Sequence, residues 1–201
     1  MNRKMKIKFV DGYKIRNTID PDFTDIHMHS LIGFAPKYYI PEGEVWVERK
    51  LRDEVEFLIK RERMLGRLMK NKSYQEARRI LRGHYAEKGP APNFVRRQKV
   101  LRGGTVVKYV DGGIVRRYLD PEYVLGGHGY VYDYIPKGEI WIDAKMDRRE
   151  FKYSLLHERT EMERMIAGES YDVAHDYATA TEKEARRLDR VGKYPGDAPK
   201  Q

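Results

Sequence analysis

The 201-residue chain contains no cysteine. That absence removes disulfides, thiolate zinc clusters and cysteine nucleophiles together, so any metal must sit on histidine and carboxylate. No apolar run approaches the roughly 20 residues that a membrane span requires. The opening stretch, MNRKMKIKFV, lacks the apolar core of a signal peptide. A cytoplasmic protein without membrane contact is therefore expected. Hydrophobic residues make up 40% and charged residues 35% of the chain, which is polar for a globular protein but outside the disordered range.

What the sequence does have is a copy of itself. FVDGYKIRNTIDPDF (9–23) aligns with YVDGGIVRRYLDPEY (109–123), keeping Val-Asp-Gly, one arginine and Asp-Pro in register. YYIPEGEVWVERK (38–50) aligns with DYIPKGEIWIDAK (133–145), and LIKRERMLGRLMKNKSYQEA (58–77) with LLHERTEMERMIAGESYDVA (155–174). The offsets are 100, 95 and 97, so the first copy carries five extra residues near HMHSLIGFAP. A period near 100 is too long for a solenoid and fits a duplicated domain.

Each copy reads alike. Val-Asp-Gly between β-branched runs, and Asp-Pro after them, mark turns. EVWVE and EIWID alternate at period two, as half-buried strands do. Residues 52–70 and 147–167 follow a helical pattern, Gly168 marks a helix end, and Ser73 with Glu76, like Ser170, opens a second helix. The expected class is α+β, a tandem duplication of short antiparallel strands followed by a helical hairpin. Residues 1–88 form the first repeat, 89–104 a linker rich in proline and glycine, 105–190 the second repeat, and 191–201 a flexible tail.

Duplication separates what the fold needs from what one copy does. At an offset of 97, His157 faces Lys60, Glu158 faces Arg61, Glu161 faces Met64 and His175 faces Arg78. The frame around them persists, so a His/Glu cluster belongs to the second copy alone. Residues four apart share a helix face, so His157 and Glu161 converge, and a returning helix brings His175 opposite. Two imidazoles and a carboxylate suit a divalent metal, zinc above others. Glu182, two turns beyond His175, is a further ligand or a partner of one, and His128, set between glycines in GGHGY, is another candidate ligand. Glu158 is placed as a catalytic base.

The strand EIWID followed by a helix bearing His157-Glu158 resembles the edge strand and active-site helix of the H-E-x-x-H metallopeptidases, the zincins, and most of all their small minigluzincin-like members. The resemblance covers about 45 residues of the second copy, and Glu161 stands where the family has its second histidine. It implies His157 as first metal ligand, Glu158 as base, and a peptidase-like, metal-dependent hydrolase.

Charge points to a second function. Residues 1–104 hold 24 basic and 13 acidic side chains, against 16 and 18 in residues 105–201. Runs such as KRERMLGRLMKNK and RRQK can neutralise phosphates. The first copy is thus expected to be a degenerate, basic docking module for nucleic acid or an acidic protein. The alternative for the whole chain is a non-catalytic nucleic-acid- or protein-binding module.

Overall fold

The computed structural model describes residues 5–29, 36–85 and 89–192. The extra residues of the first copy fall largely within 30–35, and most of the expected tail within 193–201, outside the described residues. In chain order the elements are β1 (Lys6–Val10), α1 (Gly12–Thr18), β2 (Ile26–Met28), β3 (Glu44–Glu48), α2 (Val55–Leu68), α3 (Tyr74–Tyr85), β4 (Val95–Val100), β5 (Val106–Val110), α4 (Gly112–Tyr118), β6 (Gly126–His128), β7 (Glu139–Asp143), α5 (Phe151–Ile166) and α6 (Tyr171–Arg190). Short 3₁₀ turns at Arg49–Glu54 and Arg148–Glu150 lead into α2 and α5.

The class is α+β and the repeat is plain in the topology. One sheet has the order β1-β3-β2 and the other β4-β5-β7-β6. The pairing within each is mixed: β3 runs parallel to β1 and antiparallel to β2, and β7 runs parallel to β5 and antiparallel to β6. Period-two alternation places Val45 and Val47 of β3, and Ile140 and Ile142 of β7, wholly inside their cores. Across the sheets Lys8 pairs with Trp46 and Lys108 with Trp141, and in each copy the lysine and the indole N–H share one glutamate, Glu44 or Glu139.

Val-Asp-Gly does not make a hairpin turn. A parallel β1–β3 pair needs a crossover, and the aspartate caps the helix that supplies it. Asp11 accepts from the Lys14 N–H at 3.1 Å, and Asp111 from Gly113 and Ile114 at 3.1 and 3.4 Å. Asp-Pro is a turn, in which Asp20 and Asp120 each accept the backbone N–H two residues on. The arginine kept in register is buried in both copies. Arg16 donates to the Phe23 carbonyl and pairs with Glu48 at 3.2 Å. Arg116 donates to the Tyr123 carbonyl and makes two bonds, 2.8 and 3.0 Å, to Glu54.

The stretch expected to be a linker is partly sheet. Residues Val95–Val100 form β4, antiparallel to β5 and at the sheet edge, with most of its side chains exposed. An edge strand facing water needs no apolar alternation, so VRRQKV reads as loop in sequence. Nor do the boundaries follow the repeats. The described residues divide into two compact units, one within Met1–Phe94 and Asp111–Val124, the other within Val95–Val110 and Leu125–Gln201.

The helices also shift the pairing of the copies by one residue. α2 begins at Val55 and α5 at Phe151, an offset of 96, and burial follows that offset: Glu54 with Glu150, Leu58 with Ser154, Leu65 with Glu161 are all buried. Only after the turn does the offset become 97, where Ala77 and Ala174 are both buried. His157 therefore corresponds to Arg61, Glu158 to Glu62, Glu161 to Leu65 and His175 to Arg78.

Gly12 is fixed by the buried pair. A Cβ there would lie 1.7 Å from Glu48 Oε2 and 2.9 Å from Arg16 Nη2. Gly12→Ala is expected to drive Glu48 off Arg16 and destabilise the protein by about 3 kcal/mol, the scale for breaking a buried ion pair. Urea unfolding of the two proteins checks this; a loss below about 0.5 kcal/mol would show that the pair tolerates the methyl.

Candidate metal centre

The second unit gathers its candidate residues around one carboxylate. α5 and α6 run antiparallel after Gly168, whose φ of +97° is the left-handed end of a helix. Polar rungs cross the hairpin, among them Glu161 to His175, His157 to Glu182, Glu150 to Arg186 and Tyr153 to Asp189. Helical spacing places His157 and Glu161 on the face that meets α6, and β6 approaches Glu161 from the sheet side.

Glu161 is 3% exposed and collects three imidazoles. His128 Nε2 lies 2.9 Å from Oε1, His175 Nδ1 2.6 Å from Oε2, and His157 Nε2 3.6 Å from the same Oε2. Burial alone would raise the Glu161 carboxyl, but the hydrogen bonds from His128, His157 and His175 hold it well below the ordinary carboxylate range. His157 shows the opposite balance. Burial disfavours its charge, while hydrogen bonds to Glu161 and Glu182 and the nearby Glu158 lift it to about 10.

Ligand atoms of His157, Glu161 and His175 all lie within 4.8 Å of one another, and so do those of His128, Glu158 and Glu161. The two sets differ in what their nitrogens are free to do. His157 Nδ1 faces Glu182 Oε2 at 3.0 Å, so it donates there and leaves Nε2 aimed at Glu161. That carboxylate–histidine arrangement is the usual support of a metal-binding imidazole. His128 is arranged the other way. Its Nδ1 accepts the Tyr130 N–H at 3.3 Å, so the proton sits on Nε2 and is donated to Glu161. For His128 to ligate through Nε2 its proton would have to move to Nδ1, against the Tyr130 N–H, whereas His157 and His175 need only release the proton shared with Glu161 and keep one on the other nitrogen. His128, expected as a ligand, lies close enough to Glu158 and Glu161 for that, and in this arrangement holds Glu161 Oε1 and leaves Oε2 for the focus.

Glu182, expected as a further ligand or as a partner of one, stands in the partner's place, one bond away from the focus. It accepts from His157 and, at 2.8 Å, from Arg186 Nε. Arg186 is itself buried, pairs with Glu150 at 2.5 Å and lies over the Tyr153 ring at 4.1 Å. Glu150 and Arg186 were not legible as part of the site. Their signals were an i,i+4 Glu-Arg pair on α6 and an acid at the start of α5, both common on solvated helices.

Glu158 lies on the sheet side of His157. No hydrogen bond is made to its carboxylate among the described residues, and Gly126 gives it room: a Cβ there would meet Glu158 Oε1 at 3.0 Å. Burial raises its carboxyl to about 8; His157 opposes the rise, and the charges of Glu161 and Glu182 add to it. Tyr171 stacks on His175, the most exposed of the three histidines, with ring centroids 5.3 Å apart.

The donor set fits a tetrahedral metal. With bonds of about 2.0–2.2 Å, ligand atoms stand roughly 3.3–3.6 Å apart, which the His157–Glu161 separation of 3.6 Å meets. The His175–Glu161 contact is a hydrogen bond and would have to open by about 0.7–1 Å. His175 has the freedom for that, its side chain being 42% exposed.

No protein-family model, no curated protein and no solved structure matches this chain. The geometry makes a test of its own. Nitrogen-15 NMR of metal-free protein is expected to show His128 as the Nε2–H tautomer. An Nδ1–H tautomer would return His128 to the set of ligands.

Proposed function

We propose that the second unit is a zinc-binding, metal-dependent hydrolase domain, peptidase-like in the order of its groups. His157 Nε2, Glu161 Oε2 and His175 Nδ1 are the ligands. The observation that carries this is the split of roles around Glu161: one oxygen held by a donor imidazole, the other facing two imidazoles from different helices. Two histidines and one glutamate are the donor set of several catalytic zinc sites, which leave a fourth position open. When bound, zinc supplies a Lewis acid and makes a coordinated water acidic enough to react near neutrality.

The chain's own residues do the rest. Glu182 orients His157, and Arg186, held by Glu150, orients Glu182. Glu158 is one residue from a ligand, and no hydrogen bond is made to its carboxylate among the described residues, so its oxygens are free to take up and release a proton. It is the acid–base group. The first unit keeps the acid–base position, as Glu62, and replaces each ligand: Arg61, Leu65 and Arg78 stand for His157, Glu161 and His175. That is the pattern of a copy that has lost metal while keeping its fold.

A second reading concerns phosphate binding along β4. Its edge position and the exposed Arg97 and Lys99 offer cations to a nucleic-acid backbone. This basic strand belongs to the second unit, and part of the KRERMLGRLMKNK run is unavailable, since Arg61 is buried among carboxylates. No helix among the described residues is long and apolar enough to cross a membrane.

Protein purified without an affinity tag should carry about one zinc per chain, and chelator should lower its thermal midpoint, because a ligand bound only by the folded state adds to its stability. His175→Ala should abolish metal content while lowering stability in chelator by about 1–2 kcal/mol, the cost of a hydrogen bond lost from buried Glu161. Zero zinc and a midpoint indifferent to chelator would remove the site.

Glu158→Gln separates binding from chemistry. It should keep metal and lose about 100-fold or more of the hydrolysis of a fluorogenic casein substrate, the range for an acid–base group. Unchanged hydrolysis would leave Glu158 without that role. For β4, Arg97→Ala with Lys99→Ala should weaken binding to a single-stranded oligonucleotide and flatten its salt dependence.

A further inference from the structure

The first unit contains a pocket of about 240 Å³, open to solvent on one side. One wall is apolar, built from Ile26, Met28, Leu65 and Val124, and the ring of Tyr74 borders it. The other wall is charged, and its charges do not balance.

Asp25, Glu62 and Glu122 all crowd onto Arg61, with Arg116 adding a weaker pull on Asp25 and Arg78 on Glu122. The other nearby cations are committed elsewhere: Lys37 to Asp20 at 2.9 Å, Arg78 to Asp120 at 2.7 Å and Arg116 to Glu54 at 2.8 Å. Arg61 itself commits four of its five N–H donors. Its Nη1 donates to Asp25 at 2.9 Å and to the Pro121 carbonyl at 3.0 Å, while Nε and Nη2 both donate to Glu62 Oε1. Glu62 is 8% exposed, and every bond it makes among the described residues is through Oε1, which leaves Oε2 facing the cavity without a partner. Glu122 Oε1 stands 3.1 Å from Arg61 Nε but makes no aligned hydrogen bond, and Oε2 has only a 3.4 Å contact from the Tyr74 hydroxyl.

We infer that this cavity is a binding site for a small organic monocation, a primary alkylammonium or guanidinium with a short apolar tail, whose head is held by Glu62 Oε2 and Glu122 and whose tail lies on the Ile26, Met28, Leu65 and Val124 wall.

Three features choose this class. An anion would meet an excess of carboxylate and a guanidinium already shared among three of them. A hard metal ion needs ligand atoms converging on one point, and the three carboxylates instead wrap Arg61; no three of them come within 4.8 Å of one another among the described residues. A neutral ligand would leave the charge imbalance buried, which is unfavourable in a low dielectric. That imbalance is felt by the protein. Burial raises Glu62 to about 7, with Glu122 and Asp25 adding to the rise and Arg61 opposing it, and burial raises Glu122 as well. An incoming cation relieves both.

The site is independent of the metal centre, and the test keeps them apart. Full-length protein in chelator at pH 8 is titrated by calorimetry with butylammonium chloride, and in parallel with 1-butanol, which matches its shape without its charge. Butylammonium is expected to bind saturably at one site per chain, and butanol at least about tenfold more weakly, the effect of roughly 1.4 kcal/mol. Glu62→Gln keeps the shape and the bond to Arg61 through its carbonyl oxygen, and should weaken butylammonium at least about tenfold with an unchanged circular dichroism spectrum. Glu122→Gln is the second variant and decides the matter alone should Glu62→Gln not fold. Failure to bind butylammonium, equal binding of butanol, or wild-type affinity in the folded variants would overturn the proposal.

Discussion

A carboxylate survives inside a protein only if its oxygens find donors, and the second unit is arranged around meeting that demand for Glu161. Three elements contribute: β6 brings His128, α5 brings His157 and α6 brings His175. Each contact also does structural work, since it ties the sheet to the hairpin and the two helices to each other. Removing Glu161 would loosen the packing as well as the chemistry. The same holds one layer out, where Glu150, Arg186 and Glu182 form an unbroken run of charge-assisted bonds that ends on His157.

The two units solve one problem twice. At the equivalent place on the first helix of each hairpin the second unit sets an imidazole and the first a guanidinium, and the glutamate that follows is common to both. A guanidinium carries a fixed charge and five donors, so Arg61 holds its carboxylate neighbours together without any metal ion, although one charge does not balance three. Imidazole can give up its proton and become a ligand. The exchange of His157 for Arg61, Glu161 for Leu65 and His175 for Arg78 thus turns a site that admits a metal into one with its own permanent cation, and the hairpin is unaltered because only side-chain ends change.

Much of this was legible in the chain. Period-two alternation located β3 and β7, the Ser73-Glu76 capping box forms as written, with Ser73 N–H to Glu76 Oε2 at 2.9 Å, and i,i+4 spacing brought His157 and Glu161 together. Other features left no readable trace. Asp11 and Asp111 look the same in sequence whether they begin a turn or cap a helix, and only the parallel pairing of β1 with β3 decides it. β4 lacks an apolar face because it lies at an edge. The one-residue shift between α2 and α5 is invisible to identity matching, since the compensating residue sits in a turn. The roles of His128 and Glu182 depended on which ring nitrogen faces which neighbour, and no spacing rule carries that. Buried arginines are the plainest case: Arg16, Arg61, Arg116 and Arg186 read as surface and are among the most enclosed side chains.

The chain passes from the first unit to the second at residue 95, returns at 111 and leaves again at 125. Synthesis on the ribosome makes that order consequential. Glu54 is made 62 residues before Arg116, which satisfies it. At about 5–20 residues per second this is an interval of roughly 3–12 s. Until α4 emerges, the nascent first copy must keep that carboxylate in water and cannot close its core. The duplicated sequence therefore does not yield an early-folding half and a late one. Completion of the first unit waits on residues written into the second copy, so a stalled or truncated chain ending between the repeats would display an open, charged core to the quality-control machinery of the cell.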